Sequence, residues 1–197
     1  MQKPLPANES IKHYAVPDGF SISLFASEPD IGGKPISMAW DERGRLWIAE
    51  TYDYPNEKQP EGKGRDRIRI CEDTDNDGKA DKFTTFFEGT TATMDVAVHF
   101  DGSVYVATRN EILRLRDTDG DGKADWKERV LMGLDSADSH HQTNSMIYEP
   151  GGALLLSDGV FHRTQVESVE GAVRNIDGAI FRYEPLTGKF ERYVAYG

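Results

Sequence analysis

The chain has 197 residues, a length that suits one domain with a substantial core. Its 34 acidic residues outnumber its 23 lysines and arginines, and the resulting formal net charge of −11 argues against nucleic acid as a partner. The single cysteine, Cys71, excludes an intrachain disulfide and a Cys-x-x-Cys-His haem attachment in this chain, and no apolar run approaches the length of a membrane span.

The amino-terminal part contains one predicted strand. Residues 1–17 are polar and contain prolines, and we interpret them as a lead-in to a domain at 18–197. Turn residues at 17–19 then precede residues 20–26, in which apolar and small residues alternate. Because a period of two is typical of a strand, we predict one over 20–26.

A longer unit then occurs three times, over about 36–90, 94–133 and 145–197. Each unit opens with an apolar strand, a turn that contains glycine and a second strand, and each ends with a predicted hairpin. Four strands per repeat are typical of a β-propeller blade, and a β-sandwich with coincidental spacing is the alternative.

The predicted fold class is therefore all-β: an incomplete β-propeller of about three four-stranded blades with an amino-terminal strand. Closed propellers have about four to eight blades. We expect this chain to be the amino-terminal piece of a larger propeller, which would leave apolar blade faces and strand edges uncovered.

The hairpins of the first two units contain nearly identical acidic segments, at 73–81 and 117–125. Carboxylates at positions 1, 3, 5 and 9 and glycine at position 6 suit calcium, because a hard cation needs several oxygen ligands on a tightly curled backbone. The alternating flanks predict strands, not EF-hand helices. The predicted calcium-binding residues are Asp73, Asp75, Asp77, Lys79 and Asp81 in the first segment, and Asp117, Asp119, Asp121, Lys123, Asp125 and, at position 12, Glu128 in the second. Polar turns without metal are the alternative.

Strand order in a blade predicts where these loops lie. Links between strands two and three, and between blades, share one end of the sheets, and the remaining turns share the other. Both acidic segments join strands three and four, so we expect them opposite the long loops at 51–66, 131–144 and 159–177. A calcium ion there would brace a hairpin.

The long loop before the third unit contains two of the five histidines, His140 and His141. The same end receives further polar and aromatic residues: Glu50, Tyr52, Asp53, Arg109, Asn110, Asp158, Phe161, His162 and Arg163. An imidazole, a carboxylate that orients it and an arginine that holds an anion suit proton abstraction from an alcohol. The alternatives are histidines that only hydrogen-bond the loops, or a metal site of His140, His141, His162 and Asp158.

Several motifs together resemble one family. The segments at 38–50, 72–82, 117–125 and 178–185, and Ser139-His140-His141 with Asn144, resemble the propeller domain of the membrane-bound dehydrogenases of Planctomycetes and Verrucomicrobia. The resemblance covers nearly the whole chain from Tyr14 onward. It implies a periplasmic or otherwise extracytoplasmic location and a c-type haem domain in cis, outside this chain.

That family is similar in turn to the quinoprotein glucose/sorbosone dehydrogenases, in which a His-Gln pair, an apolar strand, a glycine turn and an Asp-ended strand carry the catalytic base. The order of His141-Gln142, 146–148, 151–152 and Ser157-Asp158 matches it, although Thr143 and Asn144 replace small residues. The resemblance implies that His141 is the base and that pyrroloquinoline quinone (PQQ) is the cofactor. Our predicted catalytic residues are His141, Asp158 and Arg109, and our predicted cofactor-binding residues are His140, Gln142, Asn144 and Arg163.

Two functions remain open on this basis. The first is the propeller part of a quinoprotein-like dehydrogenase that oxidises a sugar or another alcohol and passes electrons to the haem domain. The second is a non-catalytic propeller that binds carbohydrate or a protein, with structural calcium loops. We expect this chain alone to be inactive in either case, because half of the channel would be missing.

Overall fold

The computed structural model describes residues 3–55, 59–60 and 62–196. The outer boundaries of the predicted lead-in, at residue 1, and of the third repeat, at residue 197, lie outside the described residues, as does part of the predicted loop at 51–66.

The described residues form fourteen strands and one short α-helix, α1 (Ala7–Ser10), which continues into a 3₁₀ turn at Ile11–His13. The strands are β1 (Lys34–Trp40), β2 (Leu46–Thr51), β3 (Asp66–Glu72), β4 (Lys82–Thr90), β5 (Asp95–Val98), β6 (Val104–Ala107), β7 (Glu111–Arg116), β8 (Trp126–Met132), β9 (Asn144–Tyr148), β10 (Leu154–Asp158), β11 (Arg163–Ser168), β12 (Gly171–Ile176), β13 (Ala179–Glu184) and β14 (Lys189–Ala195).

The all-β prediction is confirmed, because the strands form four antiparallel sheets and almost no helix is present in the described residues. Sheet 1 has the order β1-β2-β3-β4, sheet 2 the order β5-β6-β7-β8 and sheet 3 the order β9-β10-β13-β14. The fourth sheet is the two-stranded hairpin β11-β12.

The predicted amino-terminal strand at 20–26 is wrong. The segment is extended, but it joins none of the sheets in the described residues. It is held by one main-chain hydrogen bond, from the Ala80 amide to the Phe25 carbonyl at 2.8 Å, and by Phe25, which packs edge-on against Trp40. Phe20 and Ile22, which gave the alternating pattern, remain exposed. An alternating pattern of apolar side chains indicates that a segment can form a strand. Pairing also requires that the edge strand of a sheet lies free beside that segment.

The predicted long loop at 159–177 contains a hairpin that the sequence pattern did not predict. Residues Arg163 to Ser168 pair in register with Ile176 to Gly171 as the hairpin β11-β12, which contacts β8 and β14. Thr164 and Val166 are buried, whereas the polar residue between them, Gln165, is exposed. Because only two side chains of β11 reach the core, the segment lacks the alternation of apolar residues that would have predicted a strand.

The core lies in the two gaps between successive sheets. Between sheets 1 and 2, Trp47 and Ile68 pack with Val106 and Leu115. Between sheets 2 and 3, a larger cluster joins side chains that include Tyr105, Ile112, Leu154 and Phe181. Full burial of one such side chain stabilises a fold by about 1.5–3 kcal/mol, so sheet-to-sheet packing holds the three sheets together.

This packing brings the first strand of each sheet together, and β5 contacts both β1 and β9. The antiparallel order then places the β2–β3, β6–β7, β10–β13 and sheet-to-sheet links at one end, which we call the long-loop end. The two acidic segments lie at the opposite end, which we call the acidic-loop end. Among the described residues, no helix has the length and hydropathy that a membrane crossing requires.

Candidate functional site

The two predicted functional histidines lie at the long-loop end, in the link between β8 and β9, and Asp138 organises them. One oxygen of Asp138 accepts a hydrogen bond from the His140 amide at 2.8 Å. The other oxygen lies 3.0 Å from His141 Nδ1, an ion-pair distance although the angle falls short of a good hydrogen bond. The His140 amide and the adjacent His141 side chain lower the pKa of Asp138 below its ordinary value.

His141 is held on one side and open on the other. Its Nδ1 atom is buried against the loop, whereas the side chain as a whole is 40% exposed. Its ring packs edge-on against Phe161, with the ring centroids 5.3 Å apart. The His141 carbonyl accepts from the Gly159 amide at 3.1 Å, and a Cβ atom at Gly159 would lie 2.2 Å from that carbonyl oxygen. Only glycine therefore allows this close approach of the two loops.

His140 connects sheet 3 to sheet 1. Its Nδ1 atom lies 3.0 Å from the Tyr54 hydroxyl, and the two rings contact each other edge-on. Lys34, at the start of β1, donates to the Tyr54 carbonyl at 3.4 Å. His140 therefore connects the β8–β9 link to the β2–β3 link at the long-loop end.

Asp158 does not contact His141. It is fully buried at the end of β10, where it lies 2.8 Å from His162 Nδ1 and accepts from the Thr143 and Thr164 hydroxyls at 3.1 and 2.6 Å. The carboxylate that faces the predicted base is Asp138, three residues before it. Sequence analysis missed this role of Asp138, although the spacing Asp-x-x-His gives a local signal.

The other predicted cofactor-binding and catalytic residues lie at the same end but in different links. Gln142 is buried, and its Oε1 atom has no hydrogen-bond partner among the described residues. Asn144 donates to the Gln142 carbonyl at 3.0 Å. Arg109 follows β6, and Arg163 opens β11, where its amide donates to Asp135 at 2.6 Å. Four of the predicted residues therefore lie together in the β8–β9 link and at the start of β9: His140, His141, Gln142 and Asn144. The two arginines lie elsewhere at this end, Arg109 after β6 and Arg163 at the start of β11.

A cavity of about 390 Å³ lies where the first strands of the three sheets meet, and we call it the first-strand cavity. Three apolar and four polar residues line it: Ile36, Met94, Met146, Ser37, Asp95, Asn144 and Ser145. Asn144 belongs both to this lining and to the loop with the histidines, so the cavity adjoins the predicted site.

Asp95 is the functional candidate that sequence analysis overlooked. It accepts hydrogen bonds from the Ser37 hydroxyl of β1, from the Val96 amide at 2.9 Å and from the Met146 amide of β9. One carboxylate therefore joins the first strands of all three sheets. Burial raises its pKa above the ordinary value, although the three hydrogen bonds oppose that shift. The only signal in the sequence was a charged residue at the start of an apolar strand.

The acidic segments at the opposite end each bring three of the predicted ligands together. Oxygen atoms of Asp73, Asp75 and Asp77 lie within 4.8 Å of one another, and so do those of Asp117, Asp119 and Asp121. The Lys79 and Lys123 amides donate to the third carboxylate of each group, both at 2.8 Å.

The carboxylates at position 9 of each segment accept hydrogen bonds within the loop and lie outside the groups of three. Asp81 accepts from the Thr74 amide and hydroxyl at 3.0 and 2.6 Å, and Asp125 accepts from Thr118 at 2.8 and 2.5 Å. These bonds lower the pKa of both carboxyl groups. Glu128 lies on β8 opposite Arg114, outside the group of three. Each loop therefore offers three carboxylates to a cation and uses a fourth to close itself.

Comparison with protein families decides the family of this chain. Residues 6–196 match the model of a domain of unknown function, DUF7133. The chain belongs to the DUF7133 family. No curated protein matches this DUF7133 domain.

Solved structures show which fold the DUF7133 domain shares. The iodide and calcium structures of Trichoderma reesei Carbohydrate-Active Enzymes Family AA12 match with a TM-score of 0.54 and 20% identity, over 74% of this chain and 34% of theirs. A Thermus thermophilus structure described provisionally as an oxidoreductase (glucose dehydrogenase) matches with a TM-score of 0.45 and 20% identity, over 75% of this chain and 44% of its own. The DUF7133 domain thus spans about a third of the length of the AA12 chains. The likeness to the AA12 structures concerns the all-β, propeller-like fold alone.

The site geometry of the DUF7133 domain defines what its long-loop end can do. A half-exposed imidazole faces a carboxylate on one side and solvent on the other, which suits proton transfer. A cavity with polar and apolar walls adjoins the same loop and suits a small molecule.

Proposed function

We propose that this DUF7133 domain is the propeller part of a quinoprotein-like dehydrogenase that oxidises a sugar or another alcohol, with electrons passed to a c-type haem domain outside this chain. The observation that carries the proposal is the pairing of His141 with Asp138 at the long-loop end. The same proposal places the protein in the periplasm or another extracytoplasmic compartment, in keeping with the family resemblance.

The proton step follows from the surroundings of His141. A carboxylate beside Nδ1 favours the tautomer with its proton on that atom, which leaves Nε2 as the proton acceptor. His141 takes the hydroxyl proton of the alcohol as the hydride leaves the adjacent carbon, and a carbonyl forms. The negative charge of Asp138 then stabilises the imidazolium, at a distance of 3.0 Å.

The residues at this end fit an anionic quinone. PQQ would supply the hydride acceptor. The Arg109 and Arg163 guanidinium groups make no ion pair with a carboxylate in the described part of the chain, so both are available to bind the carboxylates of the cofactor. The buried Gln142 Oε1, which has no partner there, offers an acceptor for a donor group. Calcium fits the two groups of three aspartates, and at the acidic-loop end it would brace hairpins.

Reconstitution of the full-length protein tests the proposal. After incubation with PQQ and calcium, we expect dye reduction with some members of a panel of sugars and alcohols. His141→Ala should lower kcat/KM by about 10²- to 10⁴-fold, the usual contribution of general acid–base catalysis. His13→Ala, which removes an exposed histidine of the lead-in, is the matched control and should retain activity. Equal activity of His141→Ala and the control would refute the proposed base.

The second candidate function is a non-catalytic propeller that binds carbohydrate or a protein. The burial of Asp158 favours it, because a predicted catalytic carboxylate is inaccessible to a substrate and hydrogen-bonds instead to groups of sheet 3 and its links. The same experiment separates the two functions. A protein that takes up no PQQ and binds sugar equally well with and without His141 has the second function.

A further inference from the structure

The first-strand cavity carries a chemical preference of its own. In its described lining, Asp95 is the one charged side chain, and no described arginine or lysine pairs with it. Two further polar residues, Asn144 and Ser145, connect this cavity to the loop of His140 and His141. A ligand held there would therefore lie beside the proposed catalytic loop.

We propose that the first-strand cavity is the substrate subsite of this domain, that it binds a neutral polyol, and that Asp95 accepts a hydrogen bond from one of the polyol hydroxyl groups. This inference rests on the proposed function, because it names the class of substrate for the same site.

The hydrogen bonds of Asp95 leave room for one more donor. Its Oδ1 atom accepts from Ser37 and Val96, whereas its Oδ2 atom accepts from Met146 alone. An ionised carboxylate has about four acceptor positions. The three donors are backbone or hydroxyl groups that hold the carboxylate in a fixed orientation. A ligand hydroxyl would complete an arrangement that the protein has already built.

The lining of the cavity offers both kinds of group that a sugar or sugar alcohol needs. Ile36, Met94 and Met146 supply apolar surface, which suits the C–H groups of a polyol. Asp95, Asn144 and the two serines supply polar groups, which suit its hydroxyl groups. A volume of about 390 Å³ lies in the range of small-molecule sites.

The backbone at the cavity provides independent support. Ser145 has a φ of 50°, in the left-handed region that non-glycine residues seldom occupy. Backbone of this kind persists only where the surrounding structure fixes it, and it is frequent at functional sites. At Ser145 it directs the following amide, that of Met146, to Asp95.

The charge of Asp95 determines what the cavity excludes. An ionised carboxylate without a cationic partner repels a second anion in a partly buried site. Sugar acids and sugar phosphates should therefore bind poorly. An ammonium ligand would instead be attracted, so an amino sugar is the informative competitor.

Calorimetric titration of the full chain without cofactor tests the inference. The probes are D-glucose, D-gluconate, D-glucose 6-phosphate and D-glucosamine. We expect glucose and glucosamine each to bind at least about tenfold more tightly than either anion, because only the anions are repelled by Asp95. Asp95→Asn should weaken the binding of glucose about tenfold or more, as expected for a lost charge-assisted hydrogen bond. It should also reduce the difference in affinity between glucose and gluconate. Asp18→Asn removes an exposed carboxylate of the turn at 17–19 and should leave both affinities unchanged.

A second variant keeps the test decisive if Asp95→Asn does not fold. Ser145→Asp adds a negative charge to the cavity, and aspartate tolerates the left-handed region better than most residues. It should weaken gluconate binding several-fold more than glucose binding, and so widen the difference in affinity between the two. The inference would be overturned by absence of glucose binding, by equal binding of glucose and gluconate, by glucosamine binding as weakly as gluconate, or by a difference between glucose and gluconate affinity that neither variant changes. If His141→Ala abolishes dye reduction but Asp95→Asn leaves glucose affinity unchanged, the proposed function is supported and the proposed subsite is refuted.

Discussion

At the scale of single residues, two carboxylates near the histidines have opposite roles. Asp158 is fully buried and contacts His162, Thr143 and Thr164, which fixes the end of β10 to the neighbouring links. Asp138 is partly exposed and contacts His140 and His141. Burial decides the difference, since a hydrogen-bonded side chain in the interior cannot exchange its partner for water.

Substitution of these two carboxylates should therefore separate stability from activity. Asp158→Asn leaves a buried histidine without its charged partner and should reduce the free energy of unfolding by about 3 kcal/mol or more. Asp138→Asn should change it by less than about 1 kcal/mol, because exposed ion pairs are weak, yet it should lower dye reduction in the reconstituted protein. Urea denaturation and steady-state kinetics measure the two effects. A stable Asp158→Asn protein would show that the buried pair contributes little.

At the scale of elements, local sequence predicted turns better than pairing. The acidic segments join β3 to β4 and β7 to β8, as their glycines and flanking strands indicated. The hairpin β11-β12 and the unpaired segment at 20–26 were both misjudged. Turn geometry depends on a few adjacent residues, whereas pairing depends on which edge another part of the chain leaves free.

Calcium should act at this scale. If each group of three aspartates binds the ion, 1 mM calcium should raise the melting temperature by several degrees through preferential binding to the folded state. Asp75→Ala combined with Asp119→Ala should remove that gain. Asp18→Ala with Glu9→Ala, which removes two exposed carboxylates near the amino terminus, should keep it. A melting curve that calcium and chelator leave unmoved would identify the acidic segments as ordinary turns.

At the scale of the whole molecule, buried carboxylates hold the sheets and links together in an acidic chain. Asp66 accepts from Thr51, Tyr52 and Thr93, and so ties the β2–β3 link to the β4–β5 link. Asp53 connects the same links through Arg65 and Thr91. Asp95 joins the three first strands. The fold therefore depends on buried, hydrogen-bonded carboxyl groups as well as on its apolar core.

Acidification should reveal how far the stability of the fold depends on these carboxyl groups. Burial alone would raise the pKa of Asp53, but hydrogen bonds from the Arg65 amide and side chain and from Thr91 lower it below 3.8. A lowered folded-state pKa adds stability that is present above 3.8 and is lost as the pH falls through the folded value. The free energy of unfolding, measured by urea at pH 7 to 2, should therefore fall below about pH 4.

The variant Asp53→Asn checks the assignment. It should be less stable than the parent at pH 7 and should lose less stability on acidification. Asp18→Asn, at an exposed turn, should follow the parent curve. Parallel curves for Asp53→Asn and the parent would assign the acid sensitivity to other carboxylates.

The sequence by itself determined the all-β class, the strands that open each unit, the glycine turns and the acidic hairpins. These features follow from alternation and from turn chemistry, both of which act over a few adjacent residues. Only the tertiary structure decided that Asp138 faces His141, that Asp158 binds His162 and that Asp95 joins three strands. The Asp95 contacts depend on how separate sheets pack, because packing brings residues more than fifty positions apart within hydrogen-bond distance. The Asp138 and Asp158 contacts join residues three and four positions apart, and they depend on the conformation that the packed links adopt.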